Sequence, residues 1–181
     1  MGVIMNKVTI SGHPGSGTST LVEGLKDNLG WNSINGGEIF RNEAKKRGVS
    51  LAEFGQICSE DESVDLQLDD ILRQHIADDS INIVESRLAG WWAYKMGSDC
   101  IRIWLNVSED ERANRVTNRE GISLEEAKIA NAKRLMVDNE RYQKMYDLIP
   151  DAPTPYTHTI DATDITAQQV LEKVIAILGG Y

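Results

Sequence analysis

The sequence predicts an α/β domain with a five-stranded parallel sheet and helices on both faces. Two observations carry this. Short β-rich runs alternate with segments of helical periodicity, and the first run breaks into a glycine-rich turn that opens a helix. Lys7 to Ser11 is the first strand, after a short tail from Met1 to Asn6. Leu21, Val22, Leu25 and Leu29 then fall on one helical face. Trp31 to Ile34 reads as a second strand, stopped by Asn35-Gly36-Gly37. Glu38 to Ser80 is helical in pattern, with punctuation near Gly48 and at Ser59-Glu60-Asp61; its clearest stripe is Val64, Leu68, Ile71, Leu72 and Ile76.

Ile81 to Glu85 and Ile101 to Val107 are the third and fourth strands. Ser108 caps a helix from Glu109 to Glu120, with Glu111 placed to complete a capping box, and Gly121 ends it. Ser123 and Glu126 repeat the capping signal for a helix that can run to Leu148, where Pro150, Pro153 and Pro155 forbid continuation. Tyr156 to Asp161 supplies the fifth strand, and Val170, Leu171, Val174, Ile175 and Leu178 the inner face of a final helix.

The 181 residues suit one domain spanning the chain, and 41% hydrophobic content is enough for a core without metal or disulfide staples. Cys58 and Cys100 have neither metal-ligand nor framework spacing, which suits a reducing cytoplasmic setting. No apolar run approaches the roughly 20 residues that span a bilayer, and no leader pattern opens the chain, so membrane and classically exported proteins are not expected. A net charge of −9 argues against nucleic-acid binding. A small anionic ligand then requires positive charge concentrated locally.

Parallel sheets bind ligands beyond the carboxyl ends of their strands. After the first strand comes Gly12-His13-Pro14-Gly15-Ser16-Gly17-Thr18-Ser19-Thr20, which has the spacing of a phosphate-binding loop with Thr18 where lysine is usual. Its glycines let successive N–H groups face one anion, the helix dipole adds to them, and the Ser19 hydroxyl can ligate Mg²⁺. The missing lysine must be replaced by other cations. Arg41 and Arg87 follow strands two and three, Arg115 and Arg119 lie beyond strand four, and Arg134 and Arg141 share a face of the next helix. Arg112 reads as a solvated surface charge. Glu85 ends a strand where a carboxylate can hold Mg²⁺ waters. His13, His75 and His158 form no cluster, His75 reads as packed or partly exposed, and Trp91-Trp92 reads as core rather than as a stacking surface.

The loop, Gly37-Glu38-Ile39-Phe40-Arg41, Arg87-Leu88-Ala89-Gly90-Trp91, Arg119-Glu120-Gly121-Ile122-Ser123 and Arg141-Tyr142 together resemble archaeal-type cytidylate kinase, of the nucleoside monophosphate kinases in the P-loop NTPase superfamily. The resemblance implies a three-layer P-loop fold, with a helical monophosphate-binding insert at about residues 36–80 and a lid at about 115–135. It implies transfer of the ATP γ-phosphoryl group to CMP or dCMP with Mg²⁺. Residues Gly12, Gly15, Ser16, Gly17, Thr18, Ser19 and Thr20 would hold ATP phosphates, with Ser19 and Glu85 toward the metal. Gly37, Arg41 and Arg87 would hold the acceptor, and Arg115, Arg119 and Arg134 would supply charge to the transferring group. Ser86, Leu135 and the proline-rich stretch 147–157 depart from the family pattern.

Arg134, Asp138 and Arg141 fall at i, i+4 and i+7, so Asp138 and Arg141 are expected to read cytosine while Arg134 faces the phosphates. Two alternatives stay open: a kinase for another nucleoside monophosphate or small metabolite, and a nucleotide-binding sensor that has lost transfer. The expected partners are CMP or dCMP and ATP, bound by a monomer that engages neither nucleic acid nor membrane.

Overall fold

In a computed structural model, which describes residues 6–179 apart from the side chains of residues 51 and 52, the strands are β1 (Val8–Gly12), β2 (Ser33–Asn35), β3 (Ile83–Glu85), β4 (Ile101–Asn106) and β5 (His158–Asp161). They pair in parallel in the order β2-β3-β1-β4-β5. The chain steps to one side of β1 for β2 and β3, then crosses to the other side for β4 and β5. The crevice at that reversal lies beyond the carboxyl end of β1, where such sheets take ligands.

A core lies on each face of the sheet, and adjacent residues of β3 enter both. Val8, Ile10, Ile83 and Ile103 pack with Leu21, Val22 and Leu25 of α1 (Thr18–Leu29) and with Val170, Leu171, Val174 and Leu178 of α8 (Ala167–Leu178). On the other face Ile34 and Val84 meet Leu72 and Ile76 of α4 (Glu62–Ala77), Trp92 of α5 (Ala89–Lys95) and Tyr142 of α7 (Leu124–Tyr146). Two smaller units project from this frame. α2 (Gly36–Arg47), α3 (Leu51–Glu60) and α4 enclose Ala44, Phe54, Cys58 and Val64. α6 (Glu109–Glu120) pairs with α7 through Ala113, Val116 and Ala127.

The expected strands all form, each displaced or trimmed by one or two residues at an end. The helical run after β2 divides where its punctuation falls: Gly48 ends α2 in the left-handed region (φ 70°), and Asp61 both ends α3 and caps α4. The Ser108 box forms only halfway. Ser108 Oγ accepts from the Glu111 N–H, but the Glu111 carboxylate turns to Arg115 instead of back to the cap. α5 has no counterpart in the sequence reading, because it is short, uncapped by any side chain and carries Gly90 in its first turn. The expected tail falls outside the described residues, except for Asn6, whose carbonyl accepts from Asn82 Nδ2.

Arg112 is a correction. It is 6% exposed, its Nε donates to the Val107 carbonyl and its Nη1 to the Pro14 carbonyl, both at 3.3 Å. The first turn of α6 runs beneath the glycine-rich loop, so this arginine points into the protein rather than into solvent. Trp92 is core, as expected (3% exposed), while Trp91 ties its indole N–H to the Ile149 carbonyl.

Candidate active site

The loop after β1 is a cradle of backbone. Gly15 and Gly17 have φ of +83° and +87°, a region that L side chains rarely enter. A Cβ on Gly15 would also meet the Arg112 carbonyl oxygen at 2.8 Å. Gly17 caps α1 without any side-chain acceptor, which leaves the first N–H groups of that helix to an anion.

Two cavities open on this cradle. The larger, about 650 Å³, runs from the loop between α2, α3, α4 and α7. The smaller, about 490 Å³, lies between the loop, α6 and the start of α8. Gly15, Thr18, Ser19 and Arg119 line both. Their shared wall is therefore the phosphate loop and one arginine.

Gly12, Gly37, Glu85, Arg87, Arg134, Asp138 and Arg141 all line the larger cavity. Arg87 donates to the Gly12 carbonyl at 3.1 Å and pairs with Asp138 at 3.1 Å. Arg141 reaches Asp65 at 3.1 Å and the Tyr142 hydroxyl at 3.0 Å. Burial opposes the charge on Arg141, but Tyr142 and Asp65 outweigh it and hold the group above its ordinary range. Arg41 is exposed and lines neither cavity, with Nη1 3.3 Å from where a Cβ on Gly37 would lie. Arg134 and Arg119 are exposed, and Arg119 has Glu120 as its ion-pair partner.

Arg115 differs from its expected place. It lines the smaller cavity, and its guanidinium donates to Ser16 O (2.9 Å), Ala162 O (2.7 Å) and Glu111 (2.8 Å). An arginine on the same face as Arg112 reaches the underside of the loop, whereas Arg119, further along α6, reaches over it.

Glu85 is half-buried at the sheet end and accepts from the Thr18 hydroxyl at 3.0 Å. Burial pushes its carboxyl up, with Thr18 and Arg87 pulling the other way. Among the described residues, no group of three or more His, Cys, Asp and Glu could hold a metal ion alone. Ser19 and Glu85 both line the larger cavity.

A family described as "AAA domain" matches residues 11–131. Relatives named "Cytidylate kinase" cover nearly the whole chain: that of Haloarcula marismortui is 34% identical over 96% of this chain and 90% of its own. That of Pyrococcus abyssi is 37% identical, over 94% of this chain and 92% of its own. The chain belongs to the cytidylate kinase family. Solved structures carry the same fold at low identity. A shikimate kinase from Bacteroides thetaiotaomicron aligns at TM-score 0.64 and 15% identity, covering 96% of this chain and 98% of that one. An uncharacterized protein from Eubacterium ventriosum reaches TM-score 0.71 at 14% identity, covering 96% and 98%.

Several residues that line the larger cavity of this cytidylate kinase relative are not singled out by the sequence. Asp65 and Asp69 of α4 line the larger cavity, and their signal was present: they share a helical face with Leu68 and Leu72. His13, at the second loop position, lies against Trp104 (ring centroids 4.9 Å apart) and contacts Asp151 at 3.3 Å. Burial lowers the His13 imidazole below its ordinary range despite Asp151. Nothing in the linear sequence joins it to Asp151.

Proposed function

We propose that this chain transfers the γ-phosphoryl group of ATP to CMP or dCMP, giving CDP or dCDP and ADP. The single observation that carries the reading is the pair of cavities meeting at Gly15, Thr18, Ser19 and Arg119. One cavity suits a donor nucleotide on the α8 side, the other an acceptor between α4 and α7, with phosphates converging on the loop.

The chemistry asks little beyond alignment and charge. The acceptor phosphate is anionic near neutral pH, so its oxygen attacks without a general base. It forms a bond to the γ phosphorus as the bond to the β–γ bridging oxygen breaks and ADP departs. The loop N–H groups hold the donor phosphates. Ser19 and Glu85 would hold Mg²⁺, which offsets phosphate charge when bound. Arg87, kept in place by Gly12 and Asp138, holds the acceptor phosphate, with Arg41 swinging in from α2. Arg119 and Arg134, exposed in this state, supply charge to the transferring group as the α6–α7 hairpin closes. Arg115 stiffens the loop through the Ser16 carbonyl. Closure excludes water, which would otherwise compete for the phosphoryl group.

The enzyme is read as a cytoplasmic monomer. One chain supplies both cavities, and Cys58 and Cys100 are buried and unpaired, which suits a reducing compartment. Among the described residues, no helix is long and apolar enough to cross a membrane. A coupled ADP-release assay over a panel of monophosphates tests the reading. CMP and dCMP should be the best acceptors, and a panel with no accepted monophosphate would favour a nucleotide sensor.

A further inference from the structure

The far end of the larger cavity is built by α4 and α7, away from the phosphate loop. Asp65, Leu68, Asp69 and Leu72 lie at i, i+3, i+4 and i+7, share one face of α4 and all line the cavity. Phe40 and Leu88 add further apolar wall, and Arg141 and Tyr142 close the end. An apolar slot with charged groups at its end suits a flat, polar-edged nucleobase.

Three aspartates line this cavity, and two are committed. Asp138 pairs with Arg87 at 3.1 Å, at the phosphate end. Asp65 pairs with Arg141 at 3.1 Å. Asp69 forms no ion pair among the described residues; its Oδ2 accepts from the Tyr146 hydroxyl, and that is the only hydrogen bond of its side chain there. Tyr146 is in turn fixed edge-on against Trp92, with ring centroids 4.8 Å apart. Asp69 is thus a carboxylate held by one oxygen, with the other unengaged in a cavity. Its environment costs it charge: burial pushes the Asp69 carboxyl up, while Tyr146, Arg141 and Arg73 pull it down.

We propose that Asp69 is the residue that distinguishes cytosine from uracil, its unengaged carboxylate oxygen accepting the N4 amine of the acceptor base while Tyr146 holds the other oxygen. Arg141, anchored by Asp65 and Tyr142, donates to the base's O2. Uracil has O4 in place of the amine and would face the carboxylate with a second acceptor. The assignment rests on the CMP reading of the same cavity, and it moves base recognition from Asp138, expected from sequence, to the helix on the opposite wall. Asp138 then acts as a positioning residue for Arg87.

The test is kcat/KM for CMP and for UMP in the wild type, Asp69→Asn and Tyr146→Phe, with thermal unfolding measured alongside. An asparagine can still accept from Tyr146 and now offers its amide N–H groups to O4. Asp69→Asn should lower kcat/KM for CMP by about 10- to 150-fold, the range for losing a hydrogen bond to a charged group, and raise it for UMP. Tyr146→Phe keeps the ring on Trp92 and should lower the CMP-to-UMP ratio in the same direction by a smaller factor. An unchanged ratio in Asp69→Asn, or in Tyr146→Phe if the asparagine variant does not fold, overturns the assignment. A wild type that phosphorylates CMP while the variants keep its ratio overturns Asp69 alone; a wild type inactive on CMP overturns the functional reading as well.

Discussion

The Thr18 hydroxyl donates to Glu85 Oε1 at 3.0 Å, linking the first residue of α1 to the end of β3 beneath the phosphate loop. Thr18 occupies the position where this loop usually carries lysine. A lysine there would neutralise both phosphate and carboxylate; threonine orients the carboxylate and leaves charge neutralisation to arginines. Their distribution is consistent with that division of labour. Arg87 and Arg141 are already in the larger cavity wall and paired to aspartates, while Arg119 and Arg134 stand exposed at its mouth.

The first prediction concerns Glu85. Its carboxyl is raised above the ordinary value of 4.5 by burial, so the folded chain holds that proton more tightly than the unfolded chain. The ionised form therefore costs stability, and the cost appears as pH rises through the raised value. Glu85→Gln should match the wild type in melting temperature near pH 4 and exceed it at about pH 7. Activity moves the opposite way, falling about 10- to 100-fold, as expected when a group supporting a metal is lost. Melting curves at the two pH values, with kcat at pH 7, check both signs.

Arg112 and Arg119 share a helix and should respond oppositely. Removing Arg112 leaves the buried Pro14 and Val107 carbonyls without their donor, so Arg112→Ala should destabilise by about 1–3 kcal/mol in urea unfolding. Arg119 is exposed and pairs only with its neighbour Glu120 among the described residues. Arg119→Ala should leave the unfolding midpoint in place and lower kcat by about 10³- to 10⁵-fold, the range for an arginine that stabilises a transferring phosphoryl group. A loss of activity accounted for entirely by unfolded protein would contradict its placement at the shared wall.

Much of this was readable in the chain because local rules decide it. The alternation of strands and helices, the glycines at positions 15 and 17, and the breaks at Gly48 and Asp61 are consequences of backbone freedom and capping. What sequence periodicity cannot supply is which of several like residues on one face meets which partner. Arg112, Arg115 and Arg119 look equivalent on a helical wheel, yet the first is buried under the loop, the second donates to its Ser16 carbonyl and the third lines both cavities. Asp138 is expected from the sequence to read cytosine with Arg141, and only the fold brings Arg87, from the turn after β3, to within 3.1 Å of it. The short α5, with two tryptophans and a glycine, owes its helix to tertiary packing and gave no periodic signal.

That packing yields a further prediction. A Cβ on Gly90 would lie 2.3 Å from Tyr156 Cε1 and 2.9 Å from its Cδ1. Tyr156 cannot retreat, being stacked toward Trp104 (ring centroids 5.2 Å apart) and bonded through its hydroxyl to the Pro150 carbonyl. Gly90→Ala should cost about 1–3 kcal/mol by overpacking, read in urea denaturation. Adding Tyr156→Leu should relieve the clash, so the double variant should be more stable than the sum of the single effects predicts.

The most direct test of the central claim follows phosphorus rather than ADP. Purified protein with Mg²⁺-ATP and CMP is monitored by ³¹P NMR, which separates transfer to a nucleotide from transfer to water. The account predicts CDP and ADP appearing in equal amounts, with little inorganic phosphate and with ATP stable when CMP is withheld. ATP consumed to inorganic phosphate while CMP stays intact would contradict it.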